Sequence, residues 1–374
     1  MEPSRKVLDR RWVLWAVIIG GLTARLLAAT GGHNYDMASW NIVADITARG
    51  GNVYAETDRY NYGPVWFLVL HALDVVADHH QAVLRYLVTG FLSLADLGIC
   101  LLLCRLAGRL AGILFFLNPV SILITGYHCQ FDNLAIFLAL GSVRWLGDDF
   151  DQPVNRRKFF GLLLLGLSLM TKHLFFAFPF WLAVKQKGRG QKILVLFVPV
   201  ACFLSGFVPY WSGGRDGIIG NVFCYQPFPW NFFYNGFVPG GIQWLCDSQS
   251  LWLALLLVFA FVCRTRGTLE SLLLYSGLLV ALAPAATNQY LAIPMALAAV
   301  YPCVLFGAYV VAATLHLCGQ VDGPQWIGHA GKGCLWPAID ILCWAMVWRL
   351  WRPQIRQLLQ NMAREFQVQV GWPK

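Results

Sequence analysis

Residues 64–77 read PVWFLVLHALDVVA, and the topology of the whole chain depends on whether this apolar segment crosses a membrane. If the segment crosses, every later loop changes side, and the basic loops at 185–192 and 264–266 lie outside. If it lies along the membrane surface, both basic loops lie inside. Cytoplasmic loops of membrane proteins carry an excess of lysine and arginine, so the distribution of charge along the chain distinguishes the two cases.

The rest of the chain has the composition of a membrane protein. Of its 374 residues, 58% are hydrophobic and only 13% are charged, about half of the roughly 25% that soluble domains carry. So few charges exclude an ordinary globular enzyme, a disordered tail and a nucleic-acid-binding protein. We expect the formal net charge of +9 to reflect basic loops on the cytoplasmic side rather than an acidic partner.

Twelve apolar runs predict an all-α fold, a polytopic transmembrane helix bundle of about 12 spans. A crossing takes about 20 apolar residues, so several of the runs need neighbouring aromatic residues to reach across. The runs lie near residues 12–30, 82–104, 108–126, 132–147, 159–171, 173–184, 193–211, 250–263, 268–284, 288–302, 303–318 and 334–351. We expect one transmembrane domain over 1–351 and an amphipathic cytoplasmic tail over 352–374 that rests on the inner leaflet.

The distribution of charge favours the surface position for 64–77. In that arrangement 21 of the 28 lysines and arginines lie in inner segments, and about ten of the 19 acidic residues lie on the outer side. We therefore predict a juxtamembrane helix at 64–77, with both chain termini in the cytoplasm. The outer or lumenal face then carries the loops 31–81, 127–132, 212–249 and 319–333.

Asp36 is the first acidic residue on this outer face, and it lies in the stretch GGHNYDMASW at 31–40. Its apolar neighbours predict partial burial, and a partly buried carboxylate is suited to act as a general base. The other interpretation is a carboxylate solvated in a loop. We take Asp36 as a candidate catalytic residue, and the nearby His33 and Asn34 as candidate substrate-binding residues.

The turn YHCQFD at 127–132 joins two predicted spans on the same face. His128 and Asp132 are four residues apart, so on a continuing helix they share one face, with Gln130 between them. An acidic residue at the mouth of a membrane bundle is costly and usually functional, although Asp132 could also cap the helix that begins there. We take Asp132 as a second catalytic candidate, and His128 and Gln130 as substrate-binding candidates.

Lys172 and His173 interrupt an apolar stretch, either as a simple hairpin turn or as a place where a phosphate docks against a lone cation. Arg215 is a second candidate phosphate ligand, in the loop 212–249. This loop is rich in glycine, proline and aromatic residues, which either stack on sugars or form an aromatic belt at the interface. The turn TNQYLAIP at 287–294 brings three further binding candidates to the same face, Asn288, Gln289 and Tyr290.

Three of these features together resemble the C-type glycosyltransferase superfamily (GT-C). They are an acid soon after the first span (Asp36), an aromatic–proline juxtamembrane segment (YNYGPVWF, 60–67) and the stretch NPVSILITGYHCQFD (118–132) before a later span. The features are most similar to those of mannosyltransferases that use a polyprenyl- or dolichyl-phosphate-linked donor. Two departures stand out: the usual Pro-Pro is Gly63-Pro64 here, and the first loop has no adjacent acidic pair.

The resemblance implies a GT-C-like bundle that transfers a hexose, with mannose expected, from a polyprenyl- or dolichyl-phosphate donor to a lipid or glycan acceptor with inversion. It implies Asp36 as the catalytic base, Asp132 as the second-loop acid, and basic residues such as Lys172 as ligands of the lipid phosphate. We expect no cofactor, no divalent metal and no nucleic acid. The expected partners are membrane lipids and a small membrane subunit, in a bacterial plasma membrane or the endoplasmic reticulum.

Two other functions stay open. One is a flippase or transporter of lipid-linked sugars, in which polar residues are expected near mid-membrane on broken helices of two related halves. The other is a non-catalytic subunit of a transferase complex. The candidate residues of this chain gather at one face and its halves do not match, which favours the transferase over the transporter.

Overall fold

The structure of the protein is a computed structural model that describes residues 11–225, 249–285, 287–319 and 335–370. Within these ranges the secondary structure is helical and contains no β-strand, so the predicted all-α class is confirmed. Two stretches of the predicted outer loops, 226–248 and 320–333, lie outside the described residues.

The described helices follow one another closely along the chain. Numbered in chain order, the α-helices are α1 (Arg11–Thr30), α2 (Tyr35–Ala48), α3 (Val53–Glu56), α4 (Pro64–Val76), α5 (Gln81–Leu106), α6 (Arg109–Phe116), α7 (Pro119–Gly126), α8 (Asp132–Leu146), α9 (Arg156–Thr171), α10 (Phe178–Ala183), α11 (Arg189–Ser205), α12 (Trp211–Gly217), α13 (Gln249–Val262), α14 (Thr268–Leu282), α15 (Met295–Val300), α16 (Val304–Gly319) and α17 (Leu335–Val370). Short 3₁₀-helices lie at His173–Phe175, Val208–Tyr210 and Asn288–Ala292, and a π-helix lies at Ile218–Phe223.

Asparagine side chains set the starts of several helices. The side-chain oxygens of Asn34, Asn52, Asn118 and Asn155 each accept a hydrogen bond from a backbone N–H in the first turn of the helix that follows. Such caps satisfy N–H groups that have no partner within the helix. In an apolar chain they mark where a helix must begin.

Three helical runs are long and apolar enough to cross a bilayer: Arg11–Thr30, Gln81–Leu106 and Arg189–Phe223. Helices α6 and α7 pass the same test together but bend by 50° between them. The bend follows from Pro119, because proline lacks an N–H and keeps the residue before it out of the helical conformation. The described residues therefore contain three candidate spans, or four with the bent pair. Residues 335–351 of the last predicted run lie in α17, a helix of 36 residues that is not a candidate span, and the other predicted runs form shorter or interrupted helices.

Helix α4 covers the segment whose position decides the topology. Its 13 residues rise about 20 Å, less than the roughly 30 Å of a hydrocarbon core, so the helix does not cross a bilayer alone. Trp66, Phe67 and Leu70 are buried on one face, whereas Val75 and Val76 are exposed near its end. The position of this helix along a membrane surface stays a prediction.

A dense aromatic core joins the first predicted outer loop to the rest of the molecule. The rings of Trp66 and Phe131 are stacked with centroids 4.5 Å apart, and Trp40 meets both rings edge-on. Tyr54 and Tyr60 are fully buried in the same cluster. Because these residues come from α2, α3, α4 and the turn before α8, their packing holds the loop in one defined position against the helices.

A buried ion pair holds the first helices together. Arg25 of α1 and Asp96 of α5 lie within predicted spans, and the Arg25 Nε lies 2.7 Å from the Asp96 Oδ2, with both side chains fully buried. Arg25 also donates to the Phe116 carbonyl and to the Ser121 hydroxyl, and Thr125 donates to Asp96. The pair therefore links α1, α5, α6 and α7 through one network of charge-assisted hydrogen bonds.

We predict that Asp96→Asn lowers the free energy of unfolding by about 3–5 kcal/mol, because it leaves the Arg25 charge buried without a counter-charge. Denaturant unfolding of the purified protein in detergent micelles measures the loss. The matched control is Asp151→Asn, which removes an exposed ion pair with Lys187 and is expected to cost less than about 1 kcal/mol. Equal losses in the two variants would contradict the assigned importance of the buried pair.

Candidate active site

Asp36 lies in the first turn of α2, next to the residue that caps the helix. The Asn34 Oδ1 accepts from the Asp36 backbone N–H at 3.2 Å, and the Asn34 Nδ2 donates to the Asp36 Oδ2 at 2.9 Å. One amide side chain thus fixes both the start of the helix and the orientation of the carboxylate. The carboxylate is half-buried rather than solvated in a loop.

Gln130 brings the second predicted loop to the same carboxylate, because its Nε2 donates to the Asp36 Oδ2. The turn that carries Gln130 is held by Trp40, whose indole nitrogen donates to the Cys129 carbonyl at 3.2 Å. Cys129 adopts a left-handed backbone conformation with φ of 52°, which ends the helical path. The prediction that His128 shares a continuing helix face is therefore wrong, since α7 ends at Gly126.

Asp132 and Lys172 form a second buried ion pair at this end of the bundle. The Lys172 Nζ lies 2.7 Å from the Asp132 Oδ2, and the side chains are 5% and 0% exposed. Asp132 is the first residue of α8, and its side chain makes no capping hydrogen bond. Among the described residues, its carboxylate accepts a hydrogen bond from Lys172. Lys172 follows directly after α9, where the chain leaves the helix in an extended conformation.

The rings of Tyr62 and Phe131 enclose this ion pair. The sequence analysis did not predict the contact between Tyr62 and Lys172. The Lys172 Nζ lies 4.9 Å from the centre of the Tyr62 ring and 5.0 Å from that of Phe131, which are cation–π distances. Gly63 makes the approach possible, because a Cβ there would lie 1.9 Å from the Met170 carbonyl oxygen. The departure from Pro-Pro at 63–64 thus has a steric reason, and the Tyr-Gly-Pro sequence is the signal that could have indicated it.

Burial raises the pKa of the Asp36 carboxyl above its ordinary value. The hydrogen bond from Asn34 and the charges of Lys172 and Arg59 oppose this rise, whereas the charge of Asp132 adds to it. Both described hydrogen bonds to the carboxylate reach Oδ2, and no described residue donates to Oδ1. Asp36 is therefore a carboxylate of raised basicity with one oxygen open to a proton donor.

Several buried polar atoms in the turn before α8 and in the first residues of α8 lack a hydrogen-bond partner among the described residues. They are both ring nitrogens of His128, the Gln130 Oε1, the Asp132 Oδ1 and the Asn133 Oδ1. Each of these side chains is at most 1% exposed. Burial, with a smaller effect of His316, lowers the pKa of His128 to about 4, so the ring is neutral at pH 7. Unpaired groups in such number mark a place that water or a polar ligand occupies.

The side chains of Asp36, Gln130, Asp132 and Lys172 are called the Asp36 cluster below. The structure brings only some of the remaining candidates close to it. The 3₁₀-helix that carries Asn288, Gln289 and Tyr290 packs against α7 and α8. The Asn288 Oδ1 lies 3.2 Å from the His316 Nε2, and Tyr290 interacts electrostatically with Asp132. His173 is half-buried next to Lys172.

Two candidates lie apart from the cluster. His33 is exposed, and its Nδ1 lies 3.0 Å from the backbone oxygen of Asn34. Arg215 is exposed on α12, which packs against α3, and it forms no ion pair within the described part of the chain. In the same part, no group of three or more His, Cys, Asp or Glu side chains is arranged to hold a metal ion.

Comparison of the chain with models of protein families, with curated proteins and with solved structures finds no match. The similarity to the C-type glycosyltransferases therefore depends on the quoted sequence features alone. Support for a function therefore comes from the positions and the chemistry of the site residues.

We predict that Gly63→Ala displaces the segment before α4 from the end of α9, since the added carbon overlaps the Met170 carbonyl oxygen. The expected result is a marked loss of thermal stability, measured by melting of the purified protein. Gly90→Ala is the control, because a Cβ at this position in α5 meets no atom within 4 Å and alanine favours the helix. A Gly63→Ala protein as stable as the control would contradict the proposed close approach.

Proposed function

We propose that the chain is an integral-membrane glycosyltransferase that moves a hexose, with mannose the expected sugar, from a polyprenyl- or dolichyl-phosphate donor to a lipid or glycan acceptor. The proposal includes a GT-C-like bundle of about 12 crossings with the site at the outer or lumenal face. One observation carries it: a half-buried carboxylate of raised basicity accepts a hydrogen bond from the turn before α8, and this turn and the start of α8 carry buried polar atoms without partners.

The unpaired atoms have the chemistry of a sugar site. They are neutral imidazole nitrogens and side-chain oxygens, which accept from and donate to hydroxyl groups. A hexose presents several hydroxyls close together, each of them both donor and acceptor. The half-buried ring of Tyr62 lies over the Lys172–Asp132 pair and supplies a flat apolar surface on which a sugar ring packs.

The proposed reaction is a single displacement at the anomeric carbon. An acceptor hydroxyl attacks this carbon, and a new carbon–oxygen bond forms. The bond from the same carbon to the phosphate oxygen breaks, and its electron pair stays on the phosphate. The proton of the acceptor hydroxyl passes to the Asp36 carboxylate, which acts as general base. Attack from the face opposite the phosphate inverts the anomeric configuration.

The Lys172–Asp132 pair supports this chemistry from inside the protein. Its lysine is shielded by two rings and held by one carboxylate oxygen, so it is a fixed charge rather than a mobile side chain. A fixed positive charge stabilises negative charge that develops nearby, without reorganisation during the reaction. The Asp132 Oδ1 lacks a partner and is available to a sugar hydroxyl.

We predict that Asp36→Asn reduces sugar transfer at least 100-fold, because the amide cannot accept the proton. The assay is transfer of label from polyprenyl-phosphate-[³H]mannose to an acceptor extract by the purified protein. Asp45→Asn is the matched control, an exposed carboxylate on the same helix, and should keep wild-type transfer. An Asp36→Asn enzyme with more than a tenth of wild-type activity would show that Asp36 is not the base.

The pH dependence should follow the pKa of Asp36. Since the base acts only when deprotonated, transfer is lost as the pH falls through this pKa. Asn34→Asp keeps the capping oxygen but replaces an amide that lowers the pKa of Asp36 with a like charge that raises it. We predict that the acid limb of the pH–rate profile moves to higher pH, and an unchanged limb or one at lower pH would contradict the assignment.

A further inference from the structure

Arg59 is a cation beside the candidate site that the proposed mechanism does not use. It lies in the short loop between α3 and α4, where its backbone N–H donates to the Thr57 hydroxyl at 3.1 Å. The next residue, Tyr60, is fully buried, and its hydroxyl donates to the Gly63 carbonyl at 2.6 Å. The loop is therefore fixed on both sides of Arg59, and the side chain starts from a defined position.

The guanidinium group of Arg59 lies over the residue that precedes Asp36. It stacks on the ring of Tyr35, with its central carbon 4.0 Å from the ring centre, and Tyr35 directly precedes Asp36 in α2. The charge of Arg59 also opposes the rise in the pKa of Asp36 that burial causes. The guanidinium therefore lies against α2 within electrostatic range of the carboxylate, and no ion pair joins the two groups.

Arg59 has donors available for a ligand. Its Nη2 is buried and has no hydrogen-bond partner in the described part of the chain. The nearby carboxylate of Glu56 is not its counter-ion, because Glu56 pairs with Arg49 at 2.5 Å. A guanidinium that is half-buried, stacked and not neutralised, with an unpaired Nη2, is suited to donate a charge-assisted hydrogen bond to an anion.

The other two cations considered as phosphate ligands are less suitable. Lys172 is neutralised by Asp132 and enclosed by two rings. Arg215 is exposed, and within the described residues it makes no hydrogen bond or ion pair with the Asp36 cluster. Arg59 alone of the three combines proximity to Asp36 with a buried, unpaired donor.

We propose that Arg59 binds the phosphate of the lipid-linked donor. This inference rests on the proposed function, because it takes a polyprenyl monophosphate as the ligand. Sequence reasoning missed the residue because AETDRY at 55–60 has the appearance of a solvated, charged loop. The stacking on Tyr35 and the pairing of Glu56 with Arg49 become visible only in the folded chain.

The test is binding of tritiated undecaprenyl monophosphate to the full-length protein in nanodiscs of phosphatidylcholine, with tritiated undecaprenol as the uncharged probe. Arg59→Gln should weaken binding of the phosphate roughly 10- to 100-fold, the range expected for a charge-assisted hydrogen bond. Binding of the alcohol should stay unchanged. Arg59→Lys should fall between, because lysine keeps the charge but not the planar fork. The control Arg189→Gln, which changes an exposed arginine at the start of α11, should stay within about 2-fold of the wild type.

Wild-type phosphate affinity in Arg59→Gln, or an equal loss for phosphate and alcohol, would overturn the assignment. Two results separate it from the proposed function. If the wild-type protein binds the phosphate through Arg59 but transfers no sugar, the phosphate site is retained and the transferase function is rejected. A wild-type protein that does not bind undecaprenyl monophosphate rejects both.

Discussion

The buried ion pair between Lys172 and Asp132 is the interaction on which the candidate site depends. It joins the end of α9 to the start of α8, and removal of either charge would leave the other buried and unpaired, at a cost of about 3–5 kcal/mol. Tyr62 packs over the lysine, and Gly63 lets that segment approach the end of α9. The position of the first loop therefore follows from the position of this pair.

The rest of the site is built on that arrangement by short polar contacts. Gln130 precedes the ion pair along the chain and donates to Asp36, so α2 is tied to the turn before α8. The indole of Trp40 holds the same turn through the Cys129 carbonyl. In an apolar chain, where few side chains can replace a lost hydrogen bond, such contacts determine which residues meet. The polar atoms beside them that stay unpaired are those left for a ligand.

The sequence predicts the helical class and the residues at the centre of the site, because a charge is expensive in an apolar chain and few charges are present. Asp36, Asp132 and Lys172 stand out for that reason. The partners of these charges depend on packing between segments far apart in the chain, so neither the pairing of Lys172 with Asp132 nor the role of Tyr62 was predicted. The assumed helix through His128 was wrong because α7 ends at Gly126 and the left-handed conformation of Cys129 keeps the turn from continuing as a helix.

We propose Asp36 as the base of a single displacement at the anomeric carbon, and the stereochemistry of the product tests this most directly. The purified protein would be supplied with a polyprenyl-phosphate hexose of defined anomeric configuration, and the new glycosidic bond would be assigned by NMR. We predict the configuration opposite to that of the donor. A product with the donor's configuration would contradict the single displacement, and binding of the donor without any transfer would contradict the transferase.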